Sequence, residues 1–301
     1  MKNKLPNFLI VGAAKSGTSS LHNYLNQHPE VFMPSYNMEG MKVKEPRFLI
    51  KELVQHRLHN GVWNFEEYQA LFAKAEEQMI GESTVLYLYY YQHAIKNIKY
   101  YLGNDVKIII MLRNPVDRAY SAFQHVSRGF YENNSFEESL EIETGRMERE
   151  ETLTPMVMYK EMGMYYKMVK AYKTSFKSVH IIFFEDFRDN IEEEMNKLYS
   201  FLGISKNTNV DLNAIHNIGG KKWKNRLMKN FFMKYNAGKS ILRLLLSVKL
   251  RKWIRKKLIN VSTDDVPPIN SATRKMLKNY FKEDVKELSK LLKKDLQHWT
   301  N

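Results

Sequence analysis

Three short, mostly apolar runs stand out along the chain: Phe8-Leu9-Ile10-Val11, Val106 to Leu112 after one lysine, and Val179 to Phe184 around His180. Apolar runs of this length without polar alternation suit strands buried on both faces of a parallel sheet. Two weaker segments, Val31 to Pro34 and Met79 to Thr84, read as a short extended piece and a strand end carrying polar groups. Between these runs the apolar period lengthens to that of a helix. It does so at Leu21, Tyr24 and Leu25, through residues 51–78 (Phe65, Tyr68, Leu71, Phe72), over a tyrosine-rich stretch at 87–102, from Pro115 onward, over 161–176, and from Ile191 to Leu202 before the cap Gly203. The alternation predicts an α/β fold: a central, mostly parallel, doubly wound sheet flanked by helices in three layers. Residues 130–160 are acidic and weakly periodic, with breaks at Gly129 and Asn133-Asn134, and are expected to be helix and loop near the surface.

The chemistry collects at two strand ends. The first strand closes at Gly12 and leads through Ala13-Ala14-Lys15-Ser16-Gly17-Thr18-Ser19-Ser20 into the first helix. Free backbone N–H groups and the positive end of a helix dipole make such a turn an anion site, and Lys15 adds a full charge. A nucleotide P-loop places its lysine after the second glycine and before the magnesium-holding Ser/Thr. Here the order is Lys15-Ser16-Gly17-Thr18, so the loop shares the physics of that motif and not its letters. An ordinary strand-to-helix turn with a solvated lysine is the plain alternative. The second strand end is Arg113-Asn114-Pro115, where Asn114 suits an N-cap and Pro115 a first helical residue.

At 301 residues and 44% hydrophobic content the chain can bury one large core, and no repeat or low-complexity tract divides it. Cysteine is absent, which excludes a disulfide framework, thiolate metal ligands and a cysteine nucleophile. The N-terminus runs directly into the first strand, leaving no room for a signal peptide, and no apolar run reaches membrane-spanning length; a cytoplasmic protein is expected. The formal charge of +14 is local: residues 221–260 hold 14 of the 47 Lys/Arg and no acid, leaving 33 basic against 33 acidic residues elsewhere.

Taken together, Lys15 to Ser20 after the first strand and Arg113 with Ser121 eight residues later resemble the two signatures of the sulfotransferases that use 3′-phosphoadenosine 5′-phosphosulfate. Glu45-Pro46-Arg47-Phe48 and Gly81-Glu82 make the chain more similar to the carbohydrate branch, including heparan-type and bacterial members, than to the small-phenol branch. The stretch from Pro267 to Trp299 also resembles the closing helix of that family. The resemblance implies a P-loop-like fold and one domain over residues 1–301. It implies sulfuryl transfer to a hydroxyl or amine, adenosine 3′,5′-bisphosphate as the product, and no metal requirement. It implies that Lys15 and the loop residues Ser16, Gly17, Thr18, Ser19 and Ser20 hold the 5′-phosphate, and that Arg113 and Ser121 hold the 3′-phosphate. Glu45 would act as general base and Lys15 would also stabilise the leaving group, with Gly220 and Lys221 in a loop closing over the nucleotide. His125, one helical turn past Ser121, is the reserve base. One departure stands out: several carbohydrate members carry a second lysine directly after the glutamate matching Glu82, where this chain has Ser83, so Lys42, Lys44 or a downstream lysine has to substitute.

The basic segment at about 221–262 reads as helical, inserted before the closing helix, with Trp253, Leu258 and other apolar residues interleaved among its cations. It is either the solvated face of a core helix or an interfacial helix drawn peripherally to anionic lipid or a polyanionic, lipid-linked glycan. No nucleic-acid recognition motif accompanies the charge. Expected partners are an acceptor glycan, a glycolipid or another hydroxyl compound. An ATP-dependent kinase and a non-enzymatic basic binding module are the competing readings.

Overall fold

The computed structural model describes residues 4–34, 43–129, 132–206, 209–212 and 266–301, and the backbone of 221–223 and 263–265. Five strands, β1 (Phe8–Gly12), β2 (Val31–Phe32), β3 (Met79–Ser83), β4 (Lys107–Leu112) and β5 (Val179–Phe183), form one parallel sheet in the order β2-β3-β1-β4-β5. β1 is central and completely buried, as its unbroken apolar run requires. Its period-2 alternation splits the interior into two layers. Leu9 and Val11 face a core containing Tyr87, Val116, Tyr165 and Trp299, whereas Phe8 and Ile10 face Leu21, Leu25, Leu198 and Leu202. Gly81 lies opposite Phe8, and a Cβ there would come within 2.1 Å of the Phe8 ring, so close approach of the strands requires a glycine.

The helices are α1 (Thr18–Leu25), α2 (Lys51–Val54), α3 (Phe65–Ala70), α4 (Tyr91–Tyr101), α5 (Pro115–Arg128), α6 (Phe136–Glu141) and α7 (Arg146–Arg149). They continue with α8 (Tyr165–Ser175), α9 (Phe184–Asp189), α10 (Ile191–Leu202) and α11 (Ser271–Leu292). Asn114 caps α5 by accepting from Val116 N at 3.0 Å, with Pro115 in the first turn, and Gly203 closes α10 in the left-handed region. The closing helix α11 is bound to the domain by specific contacts. Asp284 accepts from Tyr166 N at 3.1 and 3.2 Å, at the start of α8, and Arg274 pairs with Asp117 of α5 at 2.9 Å. Beyond it, Trp299 is buried against Tyr165 and Phe183.

Several sequence expectations change. Residues 51–78 hold two short helices, not one long one. Phe48, Phe65, Tyr68 and Tyr101 gather into one aromatic cluster, with the Phe48 and Tyr68 rings 4.5 Å apart, and this packing overrides the helical stripe. The tyrosine-rich helix starts at Tyr91, after a 3₁₀ turn over Val85–Tyr87, and α8 starts at Tyr165 after another over Glu161–Gly163. The acidic middle is not merely surface. Glu132 is buried and accepts from Arg146 at 2.6 and 3.2 Å and from Tyr159 at 3.0 Å, because a buried carboxylate needs charged and hydroxyl donors around it. Lys221–Trp223 is a strand, β6, paired antiparallel with β7 (Thr263–Asp265). The register sets Lys221 opposite Asp265 and Lys222 opposite Asp264, a charge pattern that favours strand pairing over a helix start. Gly220, Lys42 and the remainder of the basic segment lie outside the described residues.

Candidate active site

In this strand order the chain leaves β1 toward β2 and leaves β4 toward β5, so a crevice opens between the carboxyl ends of β1 and β4. Both sequence-predicted strand-end cations issue from that point. The loop after β1 is tied down by Ala13 N donating to Met111 O at 2.6 Å and by Ser16 N donating to Ala13 O at 3.3 Å. Lys15 (φ 69°) and Gly17 (φ 92°) both take the left-handed conformation that curls the backbone around the opening. At φ 92° a side chain on Gly17 would be strained, and its Cβ would press on Met111 Cε at 2.9 Å and the Phe184 ring at 3.0 Å. Ser20 N and Leu21 N donate back to Gly17 O; the amides of Thr18 and Ser19 therefore precede the first intrahelical bond and are free to meet an anion.

Arg113, half-buried at the end of β4, is held on three sides. Its Nη1 donates to Lys15 O at 3.1 Å, its guanidinium lies 4.7 Å from the centre of the Phe184 ring, and its own carbonyl accepts from Tyr165 at 3.0 Å. The arginine thus braces the loop that carries Lys15. On the other side of the loop, Lys44 Nζ donates to Ser19 Oγ at 2.8 Å and lies 3.7 Å from Glu45 Oε1. Glu45 is also 3.5 Å from Arg47 and is 19% exposed, a carboxylate at the rim with access to a second substrate.

The electrostatics of the crevice are one-sided. Burial, followed by the charges of Arg128, Arg113 and Lys44, pulls the Lys15 ammonium down from 10.5 to about 8, and only Glu45 opposes the shift. Burial also lowers Arg113. Desolvation, then the charges of Lys15 and Arg128, lowers the His125 imidazole from its ordinary value. Lys15, Lys44 and Arg113, with Arg128 acting on Lys15, outnumber the carboxylates Glu45, Asp117 and Glu185 that act on them, and this donor set fits the bis-phosphorylated nucleotide that the resemblance implies.

Ser121 is half-buried on α5, in a polar stripe formed by Asp117, Ser121, Gln124, His125 and Arg128; Val116, Ala119, Ala122 and Val126 bury the opposite face. β6, which carries Lys221, runs alongside α5. Lys15, Ser19, Lys44, Glu45 and Arg113 are thus brought together, and Ser121 and Lys221 are placed on the elements flanking them. Sequence reasoning missed Arg128, although its position seven residues after Ser121 puts it on the same stripe. Ser83, where a second lysine was sought, is fully buried in β3; of the substitutes expected, Lys44 reaches the loop after β1 through Ser19. The neighbouring Glu82 does not pair with Arg113. It accepts from Tyr68 and from Thr84, each at 2.6 Å, and burial raises its carboxyl to about 7.

Comparison with known proteins agrees with this geometry. Residues 5–263 match the family model described as the sulfotransferase domain. The human bifunctional heparan sulfate N-deacetylase/N-sulfotransferase 2 is 30% identical over 127 residues, which is 41% of this chain and 13% of that protein. Mouse carbohydrate sulfotransferase 15 is 23% identical over 248 residues, covering 66% of this chain and 44% of that protein. The chain therefore matches less than half the length of these curated relatives. A sulfotransferase from Alicyclobacillus acidocaldarius, known from its crystal structure, superposes with a TM-score of 0.71 at 27% identity over 99% of this chain and 100% of that one. The chain belongs to the sulfotransferase domain family.

Proposed function

We propose that the protein transfers a sulfuryl group from 3′-phosphoadenosine 5′-phosphosulfate to a hydroxyl or amine of a carbohydrate or glycolipid acceptor. The observation that carries this reading is the convergence of Lys44, through Ser19, and Arg113, through the Lys15 carbonyl, on the loop that carries Lys15, with Glu45 beside Lys44. Lys15 and the amides of Thr18 and Ser19 hold the 5′-phosphate, and Lys15 stabilises the charge growing on the bridging oxygen as the sulfur–oxygen bond breaks. Arg113 and Ser121 hold the 3′-phosphate, the group that distinguishes this donor from ATP. The bound phosphosulfate supplies the activated sulfuryl group. Glu45 takes the proton from the attacking oxygen, a role worth about 10²- to 10⁴-fold in rate. Lys44 replaces the lysine that Ser83 lacks, because it reaches Ser19 of the loop and Glu45 together. Gly220 and Lys221 contribute to nucleotide binding, as the family resemblance implies, with Lys221 on the strand beside α5.

A carbohydrate acceptor is supported by the names of the relatives and by the rim position of Glu45, which leaves its carboxylate open to a large substrate. The basic segment suits a polyanionic or membrane-borne acceptor by its charge. Among the described residues no helix is long and apolar enough to cross a membrane. Incubating the protein with radiolabelled phosphosulfate donor in chelator, against heparan-type and chondroitin-type glycans, glycolipids and simple alcohols, tests the reading. Label transfer to a glycan or glycolipid is expected. Transfer only to simple alcohols would overturn the acceptor class, and transfer of phosphate from ATP with magnesium would overturn the reaction.

A further inference from the structure

The residue proposed as base sits on a loop, and loops hold a reacting group accurately only when something rigid grips them. Glu45 is followed by Arg47 in the left-handed conformation (φ 60°) and by the turn Phe48–Ile50. Two backbone amides of this segment are bound by side chains from the β3 edge. Arg47 N donates to Thr84 Oγ1 at 3.3 Å, and Leu49 N donates to the Tyr87 hydroxyl at 3.2 Å. Thr84 in turn donates to Glu82 Oε1 at 2.6 Å, and Tyr68 donates to Glu82 Oε2 at 2.6 Å. Glu82, Thr84, Tyr68 and Tyr87 are all fully buried.

We infer that Glu82 is a positioning residue for the reaction: its buried carboxylate orients the Thr84 hydroxyl so that it presents lone pairs to the Arg47 amide, and with the Tyr87 hydroxyl on the Leu49 amide this fixes the loop that carries Glu45. The direction of each bond supports this. A hydroxyl has one proton, and donating it to Glu82 leaves Thr84 only lone pairs toward Arg47 N. Without the carboxylate the same hydroxyl is free to turn and the amide loses its partner. A purely structural carboxylate would need its donors but would not need them aligned on the base-bearing loop. The chain spends a buried acid and three hydroxyls between β3 and this one segment, and Val62 N donating to Pro46 O at 2.9 Å grips the loop from the other side.

The inference rests on Glu45 being the base, and the test separates the two. Thr84→Val removes the lone pairs and keeps the shape; Thr84→Ser keeps the hydroxyl; Tyr87→Phe removes the second grip. Each is compared with wild type and Glu45→Gln for kcat on the best acceptor of the panel above, for calorimetric binding of adenosine 3′,5′-bisphosphate, and for Tm. Expected is a fall in kcat of about 10- to 100-fold for Thr84→Val and Tyr87→Phe, the size of effect that displacing a reacting group by about an ångström produces. Nucleotide Kd should stay within about twofold in both, and Thr84→Ser should recover kcat to within about threefold, since the hydroxyl keeps its bonding capacity. Unchanged kcat in folded Thr84→Val and Tyr87→Phe, with Glu45→Gln impaired, would overturn the positioning role alone. Parallel loss of kcat and nucleotide binding would reduce Glu82 and its partners to scaffolding and equally overturn it. Full kcat in Glu45→Gln would instead overturn the base assignment.

Discussion

Replacing Lys15 by Met should stabilise the protein while stopping its chemistry. Methionine matches lysine in length and keeps the same non-glycine backbone at φ 69°, so the substitution removes the charge and little else. Lys15 is drawn from 10.5 to about 8 by burial and by Arg128, Arg113 and Lys44. At about 1.36 kcal/mol per pH unit, keeping this lysine charged costs the folded state on the order of 3 kcal/mol. Because the folded value lies below the unfolded one, the cost is fully present below about pH 8. Between there and 10.5 the unfolded chain binds more protons than the native one, so stability rises with pH; above 10.5 the cost is gone. For 301 residues, an unfolding entropy of about 2.1 cal/mol/K per residue makes 3 kcal/mol worth roughly 5 °C as an upper bound. Differential scanning calorimetry at pH 7 should therefore show Lys15→Met melting up to about 5 °C above wild type, with the gap closing by about pH 10.5. Adding adenosine 3′,5′-bisphosphate at 100 times its Kd should raise wild type by about 2.7 kcal/mol and the variant far less. A lower Tm for the variant at pH 7, or a gap that widens with pH, would refute the electrostatic reasoning.

Three further outcomes follow from the same contacts. Glu45→Gln should lower kcat by about 10²- to 10⁴-fold with nucleotide affinity changed less than about threefold, as measured by transfer kinetics and calorimetry, because it removes a proton acceptor and not a phosphate contact. Arg128→Ala should weaken adenosine 3′,5′-bisphosphate binding by about 10-fold and move the Lys15 titration upward, read from the pH dependence of nucleotide Kd, since Arg128 is the strongest charge acting on that lysine. Glu132→Gln should cost about 3 kcal/mol, a Tm loss of some 5 °C, because it takes from the buried Arg146 its 2.6 Å charged partner and leaves only the half-exposed Glu150 at 3.6 Å.

How far the sequence could be read depended on the range of the interactions involved. β1 and β4 were legible to within a residue or two because a doubly buried strand announces itself as an apolar run; β5 was legible from its β-branched and aromatic residues, although as an edge strand it is only half-buried over Val179–Ile181, against the expectation of burial on both faces; and the starts and stops at Asn114-Pro115 and Gly203 are local steric statements. Lys15 and Arg113 were legible because strand ends in this architecture meet at one edge. What failed was long-range. The aromatic residues of 48–72 pack on Tyr101 instead of forming one helical stripe, a contact that no local period encodes. Glu132 and Arg146 sit fourteen positions apart in a stretch that reads as solvated, and only the fold shows that they are buried together. The grip of Thr84 on Arg47 spans 37 residues, and Glu82 could be singled out from the sequence only by resemblance, not by its bonds. Lys44 lay among several lysines until the fold placed its ammonium on Ser19.

The central claim is that the crevice between β1 and β4 is a site for a 3′-phosphorylated adenine nucleotide, held by Lys15 from one strand end and Arg113 from the other. Isothermal titration of adenosine 3′,5′-bisphosphate, with ADP as the competitor lacking a 3′-phosphate and chelator present throughout, measures it directly. Wild type should bind, ADP should bind at least tenfold more weakly, and Arg113→Ala should lose about 2 kcal/mol or more, in keeping with removal of a charge-assisted contact. No binding by wild type, or equal affinity of wild type and Arg113→Ala, would contradict it.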